Sequence, residues 1–182
     1  MTLDVEAVLK FWFEELKPED WFSGKSSVDD AIRERFLDQC RALMATAPAE
    51  HLGSPREALA AIIVLDQFTR NAYRGDGEAF AGDPVALAIC HGALARGHDQ
   101  ALSPDERRFL LMPLMHSEVL SDQELSVKLF SDLGGEESVK YAIDHRDVIA
   151  RFGRFPHRNR ALGRESTEAE LAFLGEHPGY GQ

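Results

Sequence analysis

The chain has 182 residues, of which 44% are hydrophobic and 28% charged, a composition typical of one globular domain and not of a disordered protein. Its net charge of −11 argues against nonspecific nucleic-acid binding, which requires a broad basic surface. The longest apolar run, 58–65, is far shorter than the roughly 20 residues of a membrane span, and we expect no signal peptide. We therefore predict a single domain over 1–182 in the cytoplasm, with no membrane or nucleic-acid partner. The oligomeric state is left open.

Hydrophobic residues recur at the helical period along the chain, and capping residues or prolines mark the boundaries. We predict helices over 4–16, from 26 or 27, from 54 to about 73, from 83 to about 97, from 103, from 121 to 134, over 136–152 and from 167. No run alternates as a strand does. The prediction is an all-α protein of seven or eight antiparallel helices with short connections.

Three details of this assignment can be checked in a structure. Pro113 should kink or break its helix, because proline removes a backbone hydrogen bond and clashes one turn back. Ser121 and Glu124 are predicted to form a capping box that opens the next helix. At the other end of the chain, 175–182 should be a frayed tail.

The third helix carries charge on an inward face. Its residues are apolar on nearly all sides, which indicates a central buried helix. Asp66 continues the stripe of Leu59 and Ile63, and Arg70 lies one turn further on the same side. A buried acid and base need partners, so this pair is a candidate functional site.

A basic segment follows near the C-terminus. Six arginines fall between 146 and 164 against the single acid Asp147, which gives this segment a charge near +5 and the remaining chain about −16. Guanidinium groups bind phosphate or carboxylate well, so an anion site is one interpretation. The alternative is that the arginines hold the last helices onto the acidic body. We expect Arg151 to pair with Asp147, one turn earlier, and Arg158 to face an open pocket.

His116 and Glu118 lie in a predicted helix, where residues two apart point about 200° away from each other and cannot share a metal. His116 lies on an apolar stripe and is predicted to be a hydrogen-bonded core histidine. Glu118 also lies on an apolar stripe and should take an arginine of the C-terminal segment as partner. We further expect Asp66, Arg70, Glu118 and a C-terminal arginine to meet in space.

Metal binding and cofactors are not predicted. His145 shares a stripe with Tyr141 and Ile149, which favours a core position. Neither His145 nor His157 has a ligand at metal-binding spacing, HExxH is absent, and Cys40 and Cys90 do not form a CxxC pair. We therefore predict a protein without metal or cofactor.

Several strings together resemble a known family. They are LDQFTRN at 65–71, MPLMHSE at 112–118 and RFGRFPHRN at 151–159, with VLKFWF at 8–13 and LGREST at 162–167. The chain resembles the bacterial domain-of-unknown-function family nine hundred and twenty-four. The resemblance implies a TPR-like right-handed array of helices and no established activity, so no catalytic residue is carried over from it.

Three functional hypotheses remain. The first is binding of an anionic small molecule or peptide carboxylate in a polar cleft. The ligand-binding candidates are Arg70, Asn71, His145, Arg151, Arg154, His157, Arg158, Asn159 and Arg164. The second is an enzyme that uses Asp66, His116 or Glu118 as acid or base, with arginines stabilising a developing anion. The third is a purely structural charge network. An open cavity lined by these residues would favour the first two.

Overall fold

A computed structural model describes residues 2–177 together with 179 and 180. Its helices are α1 (Val5–Lys10), α2 (Ser26–Leu43), α3 (Pro55–Ile62), α4 (Thr69–Ala72), α5 (Asp83–Ala95), α6 (Pro104–His116), α7 (Leu120–Leu133), α8 (Glu136–Phe152) and α9 (Glu168–Glu176). Two π-helical segments, Phe11–Glu15 and Ile63–Phe68, extend α1 and join α3 to α4. The described residues contain no strand, so the all-α prediction is confirmed. The TPR-like arrangement stays a prediction.

The run from α3 through α4 is the centre of the molecule. Every residue from 58 to 72 is buried, as the apolar sequence predicts. Helices α1, α2, α5 and α6 all pack against this run. Charged residues within it are therefore surrounded by protein on all sides, and they need partners from neighbouring helices.

The π-helical segment Ile63–Phe68 interrupts this central run and contains Asp66. Such segments insert an extra residue into the helical turn and are frequent at functional sites. Gly82, which precedes α5, lies against it: a Cβ at this glycine would stand 2.3 Å from the Leu65 carbonyl oxygen. The missing side chain thus allows α5 to start beside the π-helical segment, which brings Asp83 next to Arg70.

Aromatic side chains pack at the N-terminal end of this core. Phe109 of α6 is fully buried and lies with its ring centroid 5.4 Å from Trp12 and 4.9 Å from Trp21. The neighbouring Phe22 differs: its side chain is 66% exposed, and its ring stacks on Phe109 with the centroids 6.1 Å apart.

Two of the predicted helix details differ in the structure. Helix α6 continues through Pro113 without a break, and residues 109–115 are all buried, so only the kink at Pro113 stays a prediction. Helix α7 begins at Leu120 after Val119, so Ser121 is not its cap. Other contacts of neighbouring residues form there instead: Ser117 Oγ accepts a hydrogen bond from Val119 N, and Gln123 Nε2 donates to the Ser117 carbonyl.

The C-terminal features mostly follow the prediction. Gly153 adopts a left-handed conformation with φ 69° and ends α8, and Thr167 with Glu170 forms the capping box of α9. Tyr180 then donates a hydrogen bond to Asp144 at 2.7 Å. Fraying of 175–182 stays a prediction, and Pro178, Gly181 and Gln182 lie outside the described residues. Within the described part of the chain, no helix is long and apolar enough to cross a membrane.

Candidate functional site

A cavity of about 570 Å³ lies between helices α6 and α8, the end of the central run and the loop around 21–24. This volume lies in the range of small-molecule sites. Its polar lining includes Gln67, Arg70, Asn71, Arg74, Arg108, His116 and His145. Its apolar lining includes Trp21, Phe22, Met112, Met115, Phe130 and Tyr141. The cavity therefore combines charged donors and imidazoles with an aromatic wall.

Asp66 is the buried acid behind the cavity wall. One carboxylate oxygen, Oδ1, accepts a hydrogen bond from His116 Nδ1 at 2.7 Å, and the other accepts one from Gln67 Nε2 at 2.6 Å. Arg70 Nη1 lies 3.2 Å from Oδ1. Burial alone would raise the pKa of Asp66, but the charge of Arg70 and the hydrogen bonds from His116 and Gln67 outweigh it and hold the pKa below its ordinary value. Asp66 is therefore ionised at neutral pH.

Asp83 joins two buried guanidinium groups. Arg70 Nη1 lies 3.0 Å from Asp83 Oδ1, and Arg158 Nη1 lies 3.1 Å from Asp83 Oδ2. Arg158 is 5% exposed, and burial lowers its pKa to about 10, so it still carries its charge at neutral pH. The two negative charges of Asp66 and Asp83 balance the two positive charges of Arg70 and Arg158. This part of the cluster has the arrangement of a structural network.

His116 bonds to this network through one ring nitrogen, Nδ1, and its ring lines the cavity. Burial lowers the pKa of His116, and the neighbouring Asp66 charge opposes this only in part, so the ring is neutral at neutral pH. The hydrogen-bond network assigns the proton to Nδ1, which donates to Asp66. Within the described part of the chain, Nε2 has no hydrogen-bond partner, and the ring lines the cavity. Nε2 is thus an unprotonated base in the cavity wall.

His145 of α8 has a similar arrangement. Its Nδ1 donates to the Tyr141 carbonyl at 2.8 Å, and Tyr180 stacks on the ring with a centroid distance of 3.8 Å. Burial and the nearby His116 hold the pKa of His145 well below its ordinary value. The centroids of the two imidazoles are 6.2 Å apart. Two neutral imidazoles therefore line one cavity.

Lowering the pH from about 7.5 to about 5.5 should destabilise wild type more than His145→Gln. We expect the loss in the free energy of unfolding to be about 1 kcal/mol larger in wild type. The folded-state pKa of His145 lies well below 6.5, so below that pH the unfolded state binds a proton that the folded state does not. The stabilisation is complete above the unfolded pKa and is lost as the pH falls toward the folded one. Urea melts at both pH values measure it; equal losses in both proteins would contradict the prediction.

The C-terminal arginines lie in ion pairs outside the cavity lining. Arg154 Nε lies 2.7 Å from Glu170 Oε1, and Arg164 Nη1 lies 2.8 Å from Glu118 Oε2. The predicted arginine partner of Glu118 is thereby confirmed. Glu118 also accepts a hydrogen bond from Phe155 N at 2.8 Å. These contacts hold the segment after α8 onto the body of the protein.

The structure contradicts both expected positions, that of Arg151 paired with Asp147 and that of Arg158 facing an open pocket. Asp147 pairs with Arg146 at 2.6 Å, while the Arg151 guanidinium lies over the Phe152 ring at 4.6 Å. Arg158 does not face an open pocket, because it is buried against Asp83. Ligand binding by these arginines stays a prediction that their positions do not favour.

The predicted convergence of acids and arginines is confirmed only in part. Asp66, Arg70 and Arg158 share one network through Asp83, whereas Glu118 pairs separately with Arg164. Glu118 does not line the cavity, so of the three proposed acid or base groups only His116 reaches it directly.

The remaining candidates divide between the cavity and the C-terminal segment. Asn71 lines the cavity and donates from Nδ2 to Asp29 at 2.8 Å. Asn159 accepts a hydrogen bond from Arg164 Nε at 2.9 Å, within the C-terminal segment. The ring of His157 lies 4.8 Å from that of Tyr180, behind the cavity wall.

Sequence reasoning missed several cavity residues. Arg74 lies one turn beyond Arg70, and that spacing could have identified it. Arg108 lies three residues after Asp105, the spacing of an ordinary surface ion pair, so the sequence does not indicate that Arg108 lines the cavity. No local signal places Tyr180 beside His145, since the contact depends on how the tail returns to α8. Among the described residues, no group of three or more His, Cys, Asp or Glu side chains could hold a metal ion.

The sequence and the fold have counterparts in other proteins. The family model for a bacterial protein of unknown function (DUF924) matches residues 8–178. A solved structure of a protein of unknown function from Agrobacterium tumefaciens is 37% identical, with a TM-score of 0.89, and the match covers 95% of this chain and 97% of that one. Comparison with curated proteins gave no match. The chemistry of the cavity therefore has to be argued from its own residues.

Proposed function

Since the chain belongs to the bacterial DUF924 family of proteins of unknown function, its role must be inferred from the cavity, and we propose that this cavity binds an anionic small molecule with an apolar portion. The observation that carries the proposal is the lining: Arg70, Arg74 and Arg108 border the cavity, against the single acid Glu137 among its described lining residues. Guanidinium groups are the preferred partners of carboxylate and phosphate.

Arg108 is the arginine best placed to bind a ligand anion. Its ion pair with Asp105 is long, at 3.6 Å, and that acid is 57% exposed, so the pair contributes little. Arg70, by contrast, is already bound by two acids. A ligand anion would therefore meet less competition from protein carboxylates at Arg108 than at Arg70.

The other wall of the cavity selects an apolar group. Trp21, Met112 and Met115 are buried at its base, whereas Phe22 and Tyr141 are more than half exposed at 66% and 52%. Aromatic rings and thioethers adapt to planar apolar ligands. An aromatic or aliphatic acid fits this combination better than a fully polar ion such as phosphate.

Phenylacetate is expected to quench tryptophan fluorescence on titration, and the neutral phenylacetamide to bind at least about tenfold more weakly, because it cannot form a charge-assisted hydrogen bond. Arg108→Met should weaken phenylacetate binding about tenfold and leave phenylacetamide binding unchanged.

The matched control is Arg41→Met. Arg41 forms the same kind of pair with Asp38, three residues before it, at 3.9 Å, on α2 and away from the cavity. This variant should bind like wild type. Equal affinity for acid and amide, or an unchanged affinity in Arg108→Met, would refute an anion site at this position.

A further inference from the structure

We propose that His116 and His145 hold one water molecule between their Nε2 atoms, and that this water hydrolyses a carboxylic ester whose acid part carries an anionic group. The inference rests on the proposed binding function and names its substrate class and reaction. It starts from three features of the cavity: two imidazoles with their Nδ1 atoms already bonded, an ionised carboxylate behind one of them, and arginines beside both.

Both imidazoles present the same atom to the cavity. His116 donates from Nδ1 to Asp66, and His145 donates from Nδ1 to the Tyr141 carbonyl. In each neutral ring the remaining nitrogen, Nε2, is an acceptor without a proton. A molecule that satisfies both acceptors must offer two donors from one position. Water is the smallest molecule that does so.

The spacing of the rings suits such a water. A water donating to both nitrogens at about 2.8 Å would lie about 3.9 Å from each ring centroid, so the 6.2 Å between the centroids gives an angle of about 105° at the oxygen. This is close to the angle between the two O–H bonds of water. The lone pairs of that oxygen would then be directed away from both rings, toward a bound substrate.

His116 is the general base of this pair. Proton uptake makes its ring positive, and the buried, ionised Asp66 lies 2.7 Å away to stabilise that charge. His145 has only a carbonyl oxygen at the corresponding position, so its protonated form is less stable. His145 therefore orients the water, and Asp66 positions His116 without touching the substrate.

The reaction balances with water alone. His116 Nε2 takes one proton as the water oxygen bonds to the ester carbonyl carbon, which gives a tetrahedral oxyanion. This intermediate collapses, the bond between the carbonyl carbon and the ester oxygen breaks, and His116 returns its proton to the leaving alkoxide. The products are an acid and an alcohol. The arginines beside the cavity stabilise the negative charge of the intermediate.

No protein nucleophile competes with this water in the described residues. The serine among the lining residues, Ser138, stands two helical turns before His145 on α8. Ser117 lies next to His116 in sequence, but its hydroxyl donates to Asp122 at 2.7 Å. Neither has a hydrogen bond to an imidazole, so activation of a serine is not supported.

The pH dependence follows from the groups around His116. Asp66 and Asp83 favour its protonated form, whereas burial, Arg70, Arg158 and His145 oppose it. The net effect places the pKa of His116 below 6.5. The hydrolysis rate should therefore be constant near neutral pH and fall as the pH drops through the pKa of His116, which lies below 6.5, because only the unprotonated imidazole accepts a proton.

Mono-4-nitrophenyl terephthalate, which is anionic and whose carboxylate cannot reach its own ester carbonyl, and the neutral 4-nitrophenyl benzoate provide the test, with nitrophenolate release above the buffer rate as the readout. Wild type should hydrolyse the terephthalate ester faster than the benzoate. His116→Gln should lower kcat by about 100-fold or more, and His145→Gln by about tenfold. Asp66→Asn should lower kcat and leave KM unchanged. Circular dichroism confirms that each variant is folded, and the two histidine variants carry the test if Asp66→Asn is not.

His91→Gln is the control. His91 is exposed and its Nε2 lies 3.0 Å from Asp122, so the variant removes a histidine–aspartate contact outside the cavity and should keep the wild-type rate. Phenylacetate titration of the same variants separates the two proposals: binding without hydrolysis above the buffer rate would overturn this inference alone. An unchanged rate in His116→Gln would also overturn it. So would a burst of nitrophenolate, which indicates an acyl-imidazole.

Discussion

Asp83→Asn is expected to lower the free energy of unfolding by about 3–5 kcal/mol, because it leaves a buried guanidinium without its counter-ion. Arg158 is 5% exposed, and Asp83 is its carboxylate partner at 3.1 Å. Arg70 keeps Asp66, whereas Arg158 keeps a hydrogen bond to the His116 carbonyl at 3.1 Å and the rings of Phe80 and Phe155, but no carboxylate contact of its own. Asparagine has nearly the same shape as aspartate, so packing changes little and the loss reports the charge.

Urea unfolding followed by circular dichroism measures this loss at pH 7. The control is Asp30→Asn, which removes a 72% exposed acid paired with Arg33 at 2.9 Å. An exposed pair of this kind contributes about 0–1 kcal/mol. If both variants lost the same small amount, the buried charge network would not depend on Asp83.

Phe109→Ala should also lower the free energy of unfolding by about 3–5 kcal/mol, through loss of buried apolar contact and the void that remains. Phe109 is fully buried, and its ring centroid lies 5.4 Å from Trp12, 4.9 Å from Trp21 and 5.7 Å from Phe13. The neighbouring rings come from two segments, the π-helical turn Phe11–Glu15 and the loop around 21–24, so the surroundings cannot all move to fill the space.

Phe22→Ala is the matched control in the same aromatic cluster. Its ring stacks on Phe109 at 6.1 Å but is 66% exposed, so its removal should cost less than about 1 kcal/mol. Urea melts of both variants give the comparison. A loss below about 1 kcal/mol in Phe109→Ala would show that the aromatic cluster rearranges around the deletion.

The sequence by itself determined the helical elements whose signals are local. Gly153 ends α8, and the Thr167–Glu170 box begins α9, because a cap acts within one turn of the chain. The central buried run was evident from its apolar residues. Asp66 and Arg70 could also be assigned to one inward face, since residues four apart in a helix are neighbours.

Local patterns misled at two places. The Ser121 box has the residues of a cap, yet α7 starts earlier, where Ser117 Oγ accepts a hydrogen bond from Val119 N. Gln123 bonds instead to the carbonyls of Met115 and Ser117 at the end of α6. Pro113 lacks a backbone donor, yet α6 continues through it among buried residues.

Only the tertiary structure decided which charges face the cavity. His116 meets Asp66 across 50 residues of sequence, and Arg158 meets Asp83 across 75. These pairings depend on how the helices pack, and hydrophobic periodicity does not encode packing order. The basic C-terminal segment is conspicuous in sequence, yet three of its arginines, Arg154, Arg158 and Arg164, pair with buried or partly buried acids. The arginine best placed for a ligand is Arg108, on a helix that carries no basic cluster, because packing directs it to the cavity.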